Sequence, residues 1–202
     1  LLKGGQEALR APAKPTAYVL LDGFEDWNES VRDGSQLAGW PTRKVETGIL
    51  KAIRAVDMLL QMPVLSGDIE TGYSYSPRLG KVIALAVAWS PTEAVVFSEG
   101  LLESADFRPH LARLLISPGP LWVGHNFKYD SSYLRWQVLG GYWPTDGALV
   151  NFHDTMLEHY CLDEAKGTHA LEDLSRDFLG AEDYKYVVRK YARGDLGYEN
   201  VP

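Results

Sequence analysis

Three acids at two places in the chain have the types and spacing to do chemistry. Asp68 and Glu70 lie two apart in Ser66-Gly67-Asp68-Ile69-Glu70-Thr71-Gly72, behind the apolar lead-in Val64-Leu65. Residues i and i+2 of a strand point to the same face, so both carboxylates project together while Ile69 packs on the opposite side. Two acids facing one way repel unless something positive sits between them, and hard divalent cations such as Mg²⁺ prefer carboxylate oxygens. The third acid, Asp130, closes Asn126-Phe127-Lys128-Tyr129-Asp130. Residues 121–126 read as a short apolar strand, running into a helix that begins near Asp130 and carries Tyr133, Leu134, Trp136, Gln137 and Leu139. Asp130 is then a helix-start acid, a place Asp also fills as a plain N-cap. Its position behind Asn126, downstream of the acidic strand, points to a site of three carboxylates that could hold metal ions.

Asp68-Ile69-Glu70-Thr71 and Val123-Gly124-His125-Asn126-Phe127-Lys128-Tyr129-Asp130 resemble the first two motifs of the 3′–5′ exonuclease domain of bacterial DNA polymerase I and related phage polymerases. His153-Asp154-Thr155-Met156-Leu157-Glu158-His159-Tyr160, then residues 167–174 and Phe178-Leu179-Gly180, resemble the segment leading toward the third motif of that family. The similarity spans about residues 62 to 182, in order and in register. It implies a ribonuclease H-like α/β fold, a mixed five-stranded sheet flanked by helices with the acidic strand central. It also implies hydrolysis of the 3′-terminal phosphodiester of single-stranded or frayed DNA, releasing nucleoside 5′-monophosphates, with two divalent metal ions, Mg²⁺ or Mn²⁺. By that resemblance Asp68, Glu70 and Asp130 are catalytic metal ligands. Asp68 would bridge the ions, Glu70 would hold the one that activates water, and Asp130 would reach the second. Thr71, Asn126 and Tyr129 would contact the DNA end, Tyr129 as an aromatic platform or as a plain core residue.

The family also needs a fourth acid in a Tyr-x-x-x-Asp block. Tyr191-Ala192-Arg193-Gly194-Asp195 has the spacing, but Gly194 and Gly197 oppose a helix there, and Asp173 is a weaker candidate. The expected position is therefore beyond Pro202, with Tyr198 to Pro202 as the run-in and a polymerase domain C-terminal to it. The chain opens on Leu1, so a truncated piece of a larger polymerase is expected.

A length of 202 residues suits one sizeable domain plus flanking pieces. Apolar content of 46% and charged content of 23% are globular values, and no run approaches the roughly 18 apolar residues of a membrane helix. A soluble protein of the bacterial or phage-infected cytoplasm is expected. The single Cys161 forms no internal disulfide and reads as a small core residue. The net charge of −7 excludes a basic clamp on duplex DNA. An exonuclease meets that objection if metals bring local positive charge and a neighbouring polymerase domain supplies affinity.

Residues 1–61 read as a lead-in: a loose start rich in Gly and Pro, a strand near Tyr18 to Leu21, a turn-rich stretch 25–41 and a helix from Thr42 to Gln61 with Ile49, Ile53, Val56 and Leu60 in one stripe. Residues 62–202 read as the exonuclease unit. Its expected order is strands 64–71, 81–89 and 93–98, helix 104–117, strand 121–126, helix 130–140, strand 148–153, and helices 154–163 and 169–179. Asp154 is expected to cap a helix, and His169 to be structural. His125, His153 and His159 read as too scattered for a metal site, and Trp89, Trp122, Trp136 and Trp143 as core. The rival readings are a ribonuclease D-like RNA trimmer and a non-catalytic module that keeps the exonuclease shape.

Overall fold

The computed structural model describes residues 17–22, 46–165 and 169–181; the stretch 25–41, residues 166–168 and the Tyr191-to-Asp195 block fall outside them. Strands β1 (Ala17–Asp22) and β2 (Glu46–Thr47) precede helix α1 (Ile49–Leu59). A meander follows, β3 (Val64–Gly72), β4 (Lys81–Ser90) and β5 (Glu93–Ser98). Then come α2 (Glu99–Glu103), α3 (Arg108–Ile116), β6 (Leu121–Gly124) and α4 (Phe127–Gln137). The described part ends with β7 (Phe152–Asp154), α5 (Thr155–Leu162) and α6 (Leu171–Leu179).

All seven strands among the described residues form one sheet in the order β2-β1-β5-β4-β3-β6-β7. The expected five-stranded mixed sheet is the run β5-β4-β3-β6-β7, with β3 in its middle, and the lead-in strands extend it past β5. β4 is antiparallel to β3 and β5, while β6 runs parallel to β3 and to β7. The register sorts side chains by face, because successive residues of a strand alternate. Ile69, Leu85 and Phe97 form one row across the sheet and Gly67, Val87 and Val95 the next, all buried. The intervening rows are Asp68, Ala86, Val96 and Glu70, Ala84, Ser98, on the opposite face.

The buried row joins one apolar cluster with Ala52, Val56 and Leu59 of α1, Leu111, Leu114 and Leu115 of α3, and Trp122, Phe127 and Leu134. The α1 stripe is thus centred on Ala52, Val56 and Leu59, with Ile49, Ile53 and Leu60 at its flanks. That helix starts after Gly48 (φ +117°) instead of at Thr42, because Glu46 and Thr47 pair with β1. The single helix expected over 104–117 is two: α2 ends at Glu103, and Pro109, in the first turn where its missing N–H costs nothing, restarts the chain as α3. The strand expected over 148–153 is only β7, because Ala148 donates its N–H to the Leu115 carbonyl (2.8 Å) and is held at the end of α3.

Two core expectations are overturned. Cys161 is exposed, since α5 lies beside the short edge strand β7 and buries no residue among those described. Trp143 is exposed on the loop after α4, whereas Trp122 is fully buried and Trp89 and Trp136 are half-buried.

Gly124 is where packing is least forgiving. A Cβ there would stand 2.4 Å from the Phe127 ring, and that ring, fully buried between Trp122 and Phe152, has nowhere to go. Gly124→Ala is expected to destabilise the fold by about 1–3 kcal/mol through overpacking, read from the urea midpoint at unchanged m-value.

Candidate active site

Strand alternation places Asp68 and Glu70 together on the exposed face of β3. Their cross-strand partners on β4 are Ala86 and Ala84, so the side chains opposite them on that strand are small. A bulge between Glu70 and Thr71 ends the regular ladder immediately after the second acid. β6 stops pairing at Ser66↔Val123, so β3 continues past it, and the space beyond is taken by α4.

From α4, Asp130 turns inward to 5% exposure, and its Oδ1 accepts the Ile69 N–H at 3.1 Å. The bond ties the helix to the residue between the two strand acids. Burial pushes the Asp130 carboxyl up to about 7, with the nearby Asp68 charge adding to the shift and Asp154 a smaller contributor, against the lowering effect of the Ile69 amide. Asp130 is not the helix-start residue expected. The helix begins three residues earlier, with Asn126 at its N-cap in the left-handed region (φ 56°, ψ 36°), a conformation Asn tolerates better than most.

Asp154 determines that earlier start. Its Oδ1 accepts the N–H of Asn126 (2.9 Å) and of Met156 (3.0 Å), and its Oδ2 that of Phe127 (2.9 Å). One buried carboxylate therefore caps α5, as expected, and also the first turn of α4. This second role went unread, because its partners lie 28 and 27 residues away. A signal was present: an acid before Thr155 at the end of an apolar strand parallel to β6 must lie beside the residues that follow β6. Thr155 reinforces the junction, its hydroxyl donating to the Gly124 carbonyl (3.1 Å) and lying 3.0 Å from His125 Nδ1.

The expected end-binding residues divide. Thr71 Oγ1 and Tyr129 Oη lie 2.8 Å apart, bridging β3 and α4 beside the acids, and Tyr129 is 37% exposed. Asn126 is exposed at the helix start with its side chain uninvolved in capping. Tyr133, whose ring is 5.0 Å from that of Tyr129, donates its hydroxyl to the Ser74 carbonyl (2.7 Å). Burial, with Tyr129 close by, pushes that hydroxyl to about 12, so it stays a donor. Of the fourth-acid candidates, Asp173 is ion-paired with Arg176 on α6, and Asp195 lies outside the described residues. His153 faces Glu158 (2.6 Å), and His169, read as structural, meets His159 at 2.9 Å.

The donor set is one of carboxylate oxygens, which suit a hard cation, and burial first and the Asp68 charge second push Asp130 up to about 7. Among the described residues, however, no three His, Cys, Asp or Glu side chains stand close enough together to hold a metal ion.

A mixed sheet flanked by helices, with the acid-bearing strand in its middle and a buried acid on the helix after the next parallel strand, is a ribonuclease H-like fold. The chain belongs to the 3′–5′ exonuclease family, whose model matches residues 50–197. Among curated proteins it is similar to the DNA polymerase of Escherichia phage T5, 31% identical over 125 residues, which are 61% of this chain and 14% of that protein. The chain thus spans about a seventh of that relative's length. Among solved structures it is similar to a Trypanosoma brucei RNase D complexed with GMP (TM-score 0.64, 12% identity, 92% of this chain and 49% of that one). It is also similar to Brucella melitensis NrnC with bound Mg²⁺ (TM-score 0.52, 14% identity, 90% and 75%). Among the described residues no helix is long and apolar enough to cross a membrane.

Asp154→Ala leaves three backbone donors without their acceptor, and is expected to cost roughly 2–4 kcal/mol in denaturant unfolding. Asp130 ionises harder in the fold, at about 7, than at its ordinary 3.8. The contribution of Asp130 to the stability of the metal-free chain is therefore greatest where both states are protonated, and is lost as pH rises through that window. The fall, on the order of 1–4 kcal/mol between about pH 4 and pH 8, is expected to flatten in Asp130→Asn and to be offset by added Mg²⁺.

Proposed function

We propose that this chain is the proofreading part of a longer DNA polymerase, removing nucleotides from the 3′ end of single-stranded or frayed DNA. The supporting observation is the pairing of Asp68 with the buried Asp130 in a chain of the 3′–5′ exonuclease family. The kinship with a phage DNA polymerase favours DNA as substrate and a polymerase domain following this one. Residues 62 onward form the exonuclease unit in this reading, and the lead-in contributes α1 and its strands as support.

Asp68, Glu70 and Asp130 are assigned as the metal-holding acids, and the Mg²⁺-bound relative of the same fold is in keeping with Mg²⁺ or Mn²⁺ there. When bound, such ions lower the pKa of an attacking water and offset charge on the phosphorus and the departing 3′ oxygen. The residues of the chain do the positioning. Asp130 is kept in place by the Ile69 amide, so one acid is rigid while the two on β3 face the substrate side. Tyr129, steadied by Thr71, offers an aromatic face to the terminal base, and Asn126 offers a polar group at the start of α4. The row of alanines beside the acids leaves room for the sugar and phosphate.

The test is digestion of a 5′-labelled single strand with Mg²⁺ or Mn²⁺, by this chain and by a form continuing past Pro202 to include a fourth acid. A ladder shortening one nucleotide at a time from the 3′ end is expected, reduced by roughly 100-fold or more in Asp68→Ala. Faster trimming of the 2′-hydroxyl version of the strand would move the assignment to an RNA 3′ exonuclease. Absence of cleavage in both forms would leave a non-catalytic module.

A further inference from the structure

Beyond the acids and the Thr71–Tyr129 bridge, α4 carries a further constellation toward its C-terminal end. Tyr129, Tyr133 and Trp136 recur at i, i+4 and i+7 along one face of the helix, leading away from the acid site. Where that stripe ends, cations and rings alternate. The Arg78 guanidinium stands 4.3 Å from the Trp136 ring centre, and that of Arg135 lies 5.1 Å from Trp136 and 4.5 Å from Trp143. Trp143 is 62% exposed.

The arrangement is built, not a chance meeting of surface side chains. The loop after β3 is fastened to α4 by the Ser74 bond from Tyr133 and by Gln137 Nε2 donating to the Pro77 carbonyl at 2.8 Å, which brings Arg78 over the helix. The loop after α4 is fastened by Arg135 Nε donating to the Gly141 carbonyl at 3.1 Å. Gly141 (φ +85°) packs so tightly on Trp136 that a Cβ would stand 2.6 Å from its ring. Charge is sorted as well. No acid occurs between Glu70 and Glu93, nor between Asp130 and Asp146, although the chain as a whole is at −7. Lys81 is engaged by Glu99 and Glu103, whereas neither Arg78 nor Arg135 has an ion pair among the described residues.

We propose that Arg78, Trp136, Arg135 and Trp143 form a docking track for single-stranded nucleic acid, holding nucleotides upstream of the 3′ end that enters the acid site. The track rests on the exonuclease reading for the direction of the strand. Guanidinium groups meet phosphates, and the exposed Trp143 indole stacks on a base of any sequence, while the Trp136 ring, covered by Arg78 and Gly141, holds the cations in place. An acidic peptide would use the arginines and leave the indoles idle, and an apolar protein surface would bury the guanidinium groups without partners. From Tyr129 to Trp136 the helix rises about 10 Å, the reach of roughly two nucleotides of extended strand.

The test is binding of 5′-labelled thymidine oligonucleotides, a dinucleotide and a dodecamer, to the whole chain in EDTA by fluorescence anisotropy. Trp143→Ala and Arg78→Ala change exposed side chains, and near-UV circular dichroism checks the fold. Dodecamer affinity is expected to fall roughly fivefold or more in each, with the dinucleotide unaffected and Trp143→Phe restoring most of the loss. Equal losses for both lengths, or a dodecamer indifferent to Trp143→Ala, would overturn the track. So would loss in Arg78→Ala alone with polyglutamate competing as well as DNA, the behaviour of a plain anion-binding patch. Mg²⁺-dependent hydrolysis by the intact protein is scored separately. Cleavage without a length-dependent loss removes the track and keeps the exonuclease reading, whereas the loss without cleavage does the reverse.

Discussion

One buried carboxylate holds the candidate site in its shape. Asp154 accepts N–H groups from Asn126, Phe127 and Met156, so the beginnings of two helices and the end of β7 are joined through a single side chain. The first turn of any helix leaves donors that must be satisfied, and here the acceptor for α4 comes from another strand. An anion at that end also complements the helix dipole. With the first turn fixed, Phe127 is driven into the core between Trp122 and Phe152, and Asp130, one turn on, reaches the amide of Ile69. The arrangement adds a third negative group near Asp68 and Asp130, part of the reason Asp130 resists ionising. The scaffold and the electrostatic demand for a cation therefore arise from the same residues.

The sheet supplies the other half of the site. Because β6 ends at Gly124 while β3 continues, the acidic part of the central strand has a helix beside it in place of another strand. At this step the buried acid of α4 comes up to the strand that carries the exposed acids. Thr71 and Tyr129 bridge the same step one residue further on, so the contacts that close the site are continuous with those that build it.

What could be read without coordinates was whatever is encoded locally. The alternation at Asp68, Ile69 and Glu70 needs only neighbouring residues, and the structure keeps it. The meander β3-β4-β5 and the order of elements after it were legible for the same reason, as apolar runs separated by turn residues. Positions set by distant partners were not. The start of α4 was read three residues late because its cap is Asp154, far along the chain. Trp143 and Cys161 were read as core from their apolar character alone, yet one lies on the loop after α4 and the other on a helix beside an edge strand. The lead-in strands were not legible as part of the sheet, since a two-residue β2 has no pattern to detect and its pairing with β1 exists only in three dimensions.

The alanines opposite the acids have a further consequence. Ala84 and Ala86 alternate along β4 with Leu85 and Val87, which are fully buried on the other face. The same strand thus presents small residues beside the acids with one set of positions and holds the core together with the other. Enlarging an alanine would crowd Asp68 or Glu70 while leaving the hydrophobic row behind it untouched. What stands beside the acids and what resists unfolding are therefore written on opposite sides of one ribbon of backbone, and either can change without renegotiating the other.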